Sequence, residues 1–273
     1  LPELPEVETV VRNLRTKIIG ARIEEVELNM AKVVSTPDPE TFARLVRSCE
    51  IRGINRRGKY ILVSFSDDLV LVVHLRMTGQ FVFSATAQPN PKHTHLVLHL
   101  SNGYLRFTDM RQFGRFWLVP ASELNTVSGL KDLGVEPLTT AFKMNDFCDL
   151  LGRRRQKIKA LLLDQRTIAG MGNIYTDEAL FRSKIHPERL AVEVSVKEAR
   201  ALYRAVREVL NDGIAFGGTS VRDYVDAEGN EGRFQDMLRV YGKKGQSCPR
   251  CGETIRRIKA AGRGTYFCPR CQK

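Results

Sequence analysis

The chain opens Leu1-Pro2-Glu3-Leu4-Pro5-Glu6 and runs directly into a stretch whose apolar residues fall on one helical face. Val7, Val10, Val11, Leu14 and Ile18 recur at the i, i+3, i+4, i+7, i+11 spacing of an amphipathic helix. Pro5 fits the first helical position, where a missing N–H costs nothing, and Gly20 fits the exit. If Leu1 is absent from the working protein, Pro2 carries a free secondary amine at the positive end of that helix. An α-amine titrates near ~8, against ~10.4 for lysine. The helix dipole disfavours its ammonium form further. Such an amine can attack a sugar carbon and become a permanently cationic iminium. Glu3 beside it is a natural proton shuttle. Taken alone, these residues also fit a plain proline-started helix with acids in its first turn.

The helix needs an apolar surface, and the following sequence supplies one. Residues 22–34, 51–55, 60–66, 69–76 and 80–84 are rich in Ile, Val, Leu and Phe with short polar breaks, which predicts strands. Asn102-Gly103 between HLVLHL and YLRF predicts a tight hairpin, and Arg115–Val119 closes the series. One leading helix and many short strands predict a β-sandwich over residues 1–135. Pro137 marks a connection over 136–149. From about residue 146 the periodicity is helical: Ile158, Leu161 and Leu162 mark one helix, Ile174, Phe181 and Ile185 another. Ser195 and Glu198 form a capping box that opens a third, to about Leu210. The fold class expected is therefore α+β, with a helical domain over 150–238 and a separate end over 239–273.

That end is distinctive. It holds ten Lys/Arg against the single acid Glu253, within a chain of net charge +12. Such a balance points to a polyanionic partner. Cys248-Pro-Arg-Cys251 and Cys268-Pro-Arg-Cys271 stand sixteen residues apart, a spacing suited to tetrahedral Cys₄ zinc. Two disulfides are the alternative, but nothing in the sequence indicates an oxidising compartment. Cys49 and Cys148 read as small, partly buried residues. No apolar run reaches the ~18–20 residues needed to span a bilayer. The N-terminus lacks a secretory pattern, so a cytoplasmic protein is expected.

Several short motifs together give a closer reading. PELPEVE at 2–8, RRGKY at 56–60, HLRMTG at 74–79, DMRQFG at 109–114, GMGNIYTDEALF at 170–181 and the cysteine-rich end occur in the order seen in bacterial formamidopyrimidine-DNA glycosylases. The chain resembles that family over its whole length. The resemblance implies a repair enzyme, monomeric and nucleoid-associated, that acts on double-stranded DNA containing oxidised bases or abasic sites. It implies that Pro2 is the nucleophile, that Glu3 shuttles protons, and that Lys59 assists β-elimination. Glu6 positions water for release of the sugar fragment on this reading. Met77, Arg111 and Phe113 match the family's wedge, which fills the gap left by an extruded nucleotide. Gln112 departs from the basic residue common there. His93, Arg155, Lys159 and Asn173 match DNA contacts, the last opening a helix after the Gly-Met-Gly turn of a helix–two-turns–helix element. Thr219, Ser220, Val221, Arg222 and Tyr224 fall in the segment that closes over the extruded base. Arg263 would reach the phosphates from the tip of a zinc hairpin and support δ-elimination, with Cys248, Cys251, Cys268 and Cys271 holding one structural Zn²⁺.

Two rivals differ in class. An endonuclease VIII type would prefer oxidised pyrimidines, but Leu4 stands where that type has glycine, and DMRQFG is of the purine-specific kind. A non-catalytic zinc-dependent DNA-binding protein would need neither a free Pro2 amine nor Glu3. Leu1 stands where the family has Met. It reads as the literal translation of a non-ATG start codon, which initiates with methionine in the cell.

Overall fold

The computed structural model of the protein describes residues 2–220 and 224–273. By its contacts the chain forms two compact units, Leu1–Asp132 with Phe216–Gln235, and Leu133–Ala215 with Asp236–Lys273. Residues 216–235 thus rejoin the first unit, whereas the sequence pattern places all of 150–238 in the helical region.

The first unit begins with α1 (Leu4–Ile18), capped by Glu3. Pro5 is therefore the second helical residue, not the first as expected. The position is still harmless, because none of the first four N–H groups has a partner inside the helix. Gly20 ends it with φ +84°. The strand expected over 22–34 is two, β1 (Ile23–Leu28) and β2 (Val34–Thr36), separated by a single 3₁₀ turn. A helix that the sequence reading does not anticipate follows, α2 (Pro39–Val46), where Asp38 accepts the Thr41 N–H at 2.9 Å and Phe42 and Val46 are buried.

Then come β3 (Ile51–Arg57), β4 (Tyr60–Phe65), β5 (Leu69–His74), β6 (Gly79–Ser84), β7 (Thr94–Leu100), β8 (Gly103–Asp109) and β9 (Arg115–Pro120). They form two sheets, β1-β7-β8-β6 and β2-β9-β5-β4-β3, in which only β2 and β9 run parallel. The expected hairpin is present, with Leu100 paired to Gly103. Both sheets and the apolar face of α1 share one core. Burying each of the five helix residues contributes about 1.5–3 kcal/mol relative to exposure. At the centre Phe81, Phe107 and Phe116 meet edge to face, with ring centroids 4.8–5.8 Å apart.

The second unit holds α3 (Met144–Gly152), α4 (Ile158–Leu163), α5 (Asn173–Ser183), α6 (Val196–Ala215) and the hairpin β10 (Arg256–Ala260) with β11 (Arg263–Phe267). The expected capping box is formed, with Ser195 N–H donating to Glu198 at 2.9 Å. Paired to Arg189 at 2.7 Å, Glu198 is held down to about 2. The buried Glu178 carboxylate accepts the backbone N–H groups of Arg239, Val240 and Tyr241 at 2.9–3.0 Å. These bonds fasten the chain entering the terminal hairpin to α5.

Candidate active site and nucleic-acid interface

Pro2, Glu3 and Glu6 are all buried at the start of α1. The Glu6 carboxylate serves two donors, Glu3 N–H at 2.8 Å through Oε2 and Thr219 N–H at 2.7 Å through Oε1. The Tyr224 hydroxyl donates to the Glu6 carbonyl at 3.3 Å. Burial, with the Glu6 charge beside it, pushes that phenol's pKa upward, so it stays a donor. A Cβ at Gly218 (φ +87°) would stand 2.9 Å from Glu6 Cγ, which leaves glycine alone at this approach. Ser220 turns its hydroxyl to the Tyr224 carbonyl at 2.7 Å and receives the Gly232 N–H at 2.9 Å. Val221 and Arg222 lie outside the described residues.

Glu8, one turn further along α1, binds Arg56 at 3.0 Å, and Arg56 in turn donates to the Gly58 carbonyl at 2.8 Å. Burial opposes the Glu8 charge, but Arg12 and Arg56 outweigh it and hold the carboxyl below its usual value. The turn that carries Lys59, itself buried, is therefore fixed to the N-terminal helix. His74 is buried nearby. Burial first, then the Arg76 and Lys59 charges, push its pKa down to about 3. Its Nδ1 accepts the Arg76 N–H at 3.0 Å, so the neutral ring carries its proton on Nε2.

The three residues expected to form the wedge lie on two neighbouring turns. Met77 is half-buried between β5 and β6, while Arg111 and Phe113 are exposed between β8 and β9. The guanidinium of Arg111 lies 4.8 Å from the Phe113 ring centroid, a cation–π distance. Asp109, fully buried, organises both turns. It takes the Thr78 hydroxyl and the N–H groups of Arg111 at 3.2 Å and Gly114 at 2.7 Å. A Cβ at Gly114 would sit 2.4 Å from the Phe107 ring, and one at Gly79 2.9 Å from the same ring. His93 joins the group through its carbonyl, which accepts the Asp109 N–H at 3.1 Å. Met110, 57 % exposed beside Arg111, is not singled out by the sequence reading, although it lies within DMRQFG.

In the second unit Arg155 is exposed on the segment between α3 and α4, and Asn173 opens α5. Asn173 Nδ2 donates to the Gly264 carbonyl at 2.9 Å. Arg263 is exposed where β11 leaves the Ala261-Gly262 turn. Lys159 departs from expectation. Its side chain has no exposed surface, and Nζ lies 2.6 Å from Asp177 and 2.7 Å from the Thr265 hydroxyl. It points into the unit, so it is not placed to meet a strand outside. Burial pushes the Asp177 carboxyl upward against the pull of that ammonium.

The four terminal cysteines converge, every Sγ within 4.8 Å of the others. The Cys251–Cys268 and Cys248–Cys271 sulfurs are 3.5 and 3.9 Å apart, far beyond a disulfide bond. A tetrahedron with Zn–S arms of ~2.3 Å has edges of about 3.8 Å. The set therefore fits one zinc with all four positions filled by protein, which makes the metal structural.

Comparison with known proteins agrees across the chain. Residues 1–116 match the formamidopyrimidine-DNA glycosylase N-terminal domain, 133–225 the H2TH domain of the same enzyme, and 245–273 a zinc finger found in FPG and IleRS. The chain belongs to the formamidopyrimidine-DNA glycosylase family. As a member it is a DNA-repair enzyme, a glycosylase with abasic-site lyase activity. It is 49% identical over 274 residues to the formamidopyrimidine-DNA glycosylase of Pelotomaculum thermopropionicum, covering 100% of this chain and 99% of that one. Over 260 residues it is 50% identical to that of Moorella thermoacetica, covering 95% of each. Among solved structures, a mutant of Lactococcus lactis FPG in complex with a Fapy-dG containing DNA superposes with a TM-score of 0.93, at 40% identity and 100% coverage of both chains. A complex of Lactococcus lactis Fpg with an abasic site containing DNA gives the same TM-score and identity over 99% of each chain. Among the described residues, no helix of this glycosylase is long and apolar enough to cross a membrane.

Proposed function

We propose that this glycosylase excises oxidised purines, 8-oxoguanine and formamidopyrimidines, from duplex DNA through a Schiff base on Pro2, then cuts the strand by β,δ-elimination. The observation that carries the reading is the buried start of α1, where Pro2 and Glu3 sit with the Glu3 N–H fixed by Glu6. With residue 1 removed, the Pro2 nitrogen attacks C1′ and the base departs. Glu3 moves a proton to the opening sugar ring, leaving an iminium that acidifies the C2′ proton. Loss of that proton, assisted by Lys59, expels the 3′ phosphate. A second elimination, supported by Arg263, expels the 5′ phosphate.

The remaining residues hold the substrate. Met77, Arg111 and Phe113 offset the few kcal/mol that base flipping costs by filling the vacated stack. His93, Arg155 and Asn173 bind phosphates. Thr219, Ser220, Val221, Arg222 and Tyr224 cover the extruded base. Zinc supplies rigidity to the Arg263 hairpin and takes no part in the bond-making. The enzyme acts as a monomer on bacterial nucleoid DNA in the cytoplasm. A solved complex pairs Lactococcus lactis FPG with an oxidized pyrimidine containing DNA, which favours some tolerance of pyrimidine lesions here too.

Borohydride trapping tests this reading on protein whose intact mass shows residue 1 removed. The expected result is a covalent DNA adduct mapped to Pro2. An adduct on Lys59 would overturn the nucleophile, and no adduct at all would favour a protein that only binds DNA.

A further inference from the structure

We propose that Lys159 and Asp177 are positioning residues that hold the Arg263 hairpin to helices α4 and α5 through bonds separate from its zinc cysteines. Zinc ties together Cys248, Cys251, Cys268 and Cys271, at the foot of the hairpin. The other end of β11 is fastened to the helices by a separate set of bonds. Lys159 of α4 reaches Asp177 of α5 at 2.6 Å and the Thr265 hydroxyl of β11 at 2.7 Å. The second oxygen of Asp177 takes the Tyr266 N–H at 2.9 Å, and Asn173 holds the Gly264 carbonyl. Three successive hairpin residues are thus bonded to α4 and α5, immediately after Arg263.

Both charged side chains are wholly buried, and so is Thr265. A charge removed from water is tolerable only when it is paired and its remaining donors and acceptors are used. That requirement makes the arrangement stiff: moving the hairpin breaks bonds to ions, not to solvent. A lysine that neutralised a DNA phosphate would need exposure that Lys159 lacks. The inference rests on the assignment of Arg263 to δ-elimination given above.

The test measures δ-elimination on an abasic-site duplex at saturating enzyme, alongside zinc content and amide hydrogen exchange of the hairpin. Lys159→Met or Asp177→Asn alone strands a buried charge and can unfold the unit. The deciding variant is therefore the neutral double Lys159→Met/Asp177→Asn, with Asp177→Asn beside it and hydrogen exchange outside the hairpin checking that each is folded. An amide in place of Asp177 presents N–H₂ where an acceptor is needed. Both variants are expected to keep their zinc, exchange hairpin amides faster, and slow δ-elimination about tenfold, the scale of one hydrogen bond to a charged group. In an Arg263→Ala background neither should cause further loss, because both act through Arg263. Additive losses there would mean that Lys159 acts on DNA itself and would overturn the proposal. Tighter DNA binding by Asp177→Asn, as simple removal of a negative charge predicts, would do so too. If Arg263→Ala leaves δ-elimination intact while Asp177→Asn still loosens the hairpin, the assignment of Arg263 fails and the fastening stands.

Discussion

Glu6 Oε1 accepts the Thr219 backbone N–H at 2.7 Å, across 213 positions of the chain, while its other oxygen holds the Glu3 N–H at 2.8 Å. One carboxylate thereby couples the returning 216–235 segment to the residue proposed to shuttle protons. Glu6→Ala removes both acceptors. A hydrogen bond to a charged group is worth about 1.5–3 kcal/mol, so loss of the Glu3 contact alone should lower single-turnover base excision about 10- to 150-fold. Glu6→Gln keeps one acceptor and should fall less. Equal activity in both variants would show that the coupling has no catalytic consequence.

Glu3→Gln preserves shape but removes the proposed proton shuttle. General acid–base groups contribute ~10²–10⁴-fold, and base excision should drop by that order. Affinity for a non-cleavable abasic analogue should stay near the parent value. Parallel losses of binding and excision would reassign Glu3 to structure.

Phe113 is exposed and packed against Arg111, outside the core. Base–aromatic stacking is worth ~1–3 kcal/mol, so Phe113→Ala should slow excision from duplex about 5- to 150-fold. The same lesion in single-stranded DNA should be processed almost normally. A comparison of the two substrates decides it.

Chelating the zinc, or replacing Cys251 with Ala, should abolish DNA binding and leave the β-sandwich folded. A structural tetrathiolate contributes ~10–16 kcal/mol of apparent binding free energy, and the small cluster of Phe181, Val240 and Ile255 around it cannot substitute. Near-ultraviolet circular dichroism, with Trp117 in the first unit as reporter, separates the two events. Full affinity without metal would sink the idea.

His74 gives a pH signature. Its folded pKa, pushed down to about 3, lies below the ~6.5 of an unfolded histidine. The unfolded chain therefore takes up the proton first as pH falls. The stability this group contributes is full above about pH 6.5 and declines toward pH 3, by at most ~1.4 kcal/mol per pH unit. His74→Gln should flatten that slope in urea titrations, even if it lowers stability at pH 7 by disturbing the Arg76 N–H. An unchanged slope would show that His74 protonates equally well in both states.

The sequence is most legible where a signal is local. The period of Val7 to Ile18 and the two Cys-Pro-Arg-Cys turns each carry their own geometry, and both appear as expected. Helix α2 escapes a reading by pattern because Pro37-Asp38-Pro39 reads as loop, although Asp38 before a proline is also a helix start. Lys159 misleads for a different reason. Within Arg153–Lys159 every cation looks alike, and only Asp177, eighteen residues on, reveals which one turns inward. The return of 216–235 to the first unit leaves little trace of hydrophobic spacing, since Tyr224 and Ala227 enter the core while other links are polar bonds through the carboxylates of Glu6, Asp226 and Glu228.

The Phe107 ring lies within 3 Å of where side-chain atoms at both Gly79 and Gly114 would be. The turn bearing Met77 and the loop bearing Arg111 and Phe113 therefore bracket one fully buried phenyl group and are joined by Thr78 and Asp109. Neither can yield without the other. On the proposed wedge role, a probe built this way works like a tooth of fixed shape pressed against the helix, so the deformation falls on the nucleic acid. Base steps already weakened by damage give way first. On that proposal, discrimination begins in the mechanics of the duplex, before any base reaches a pocket.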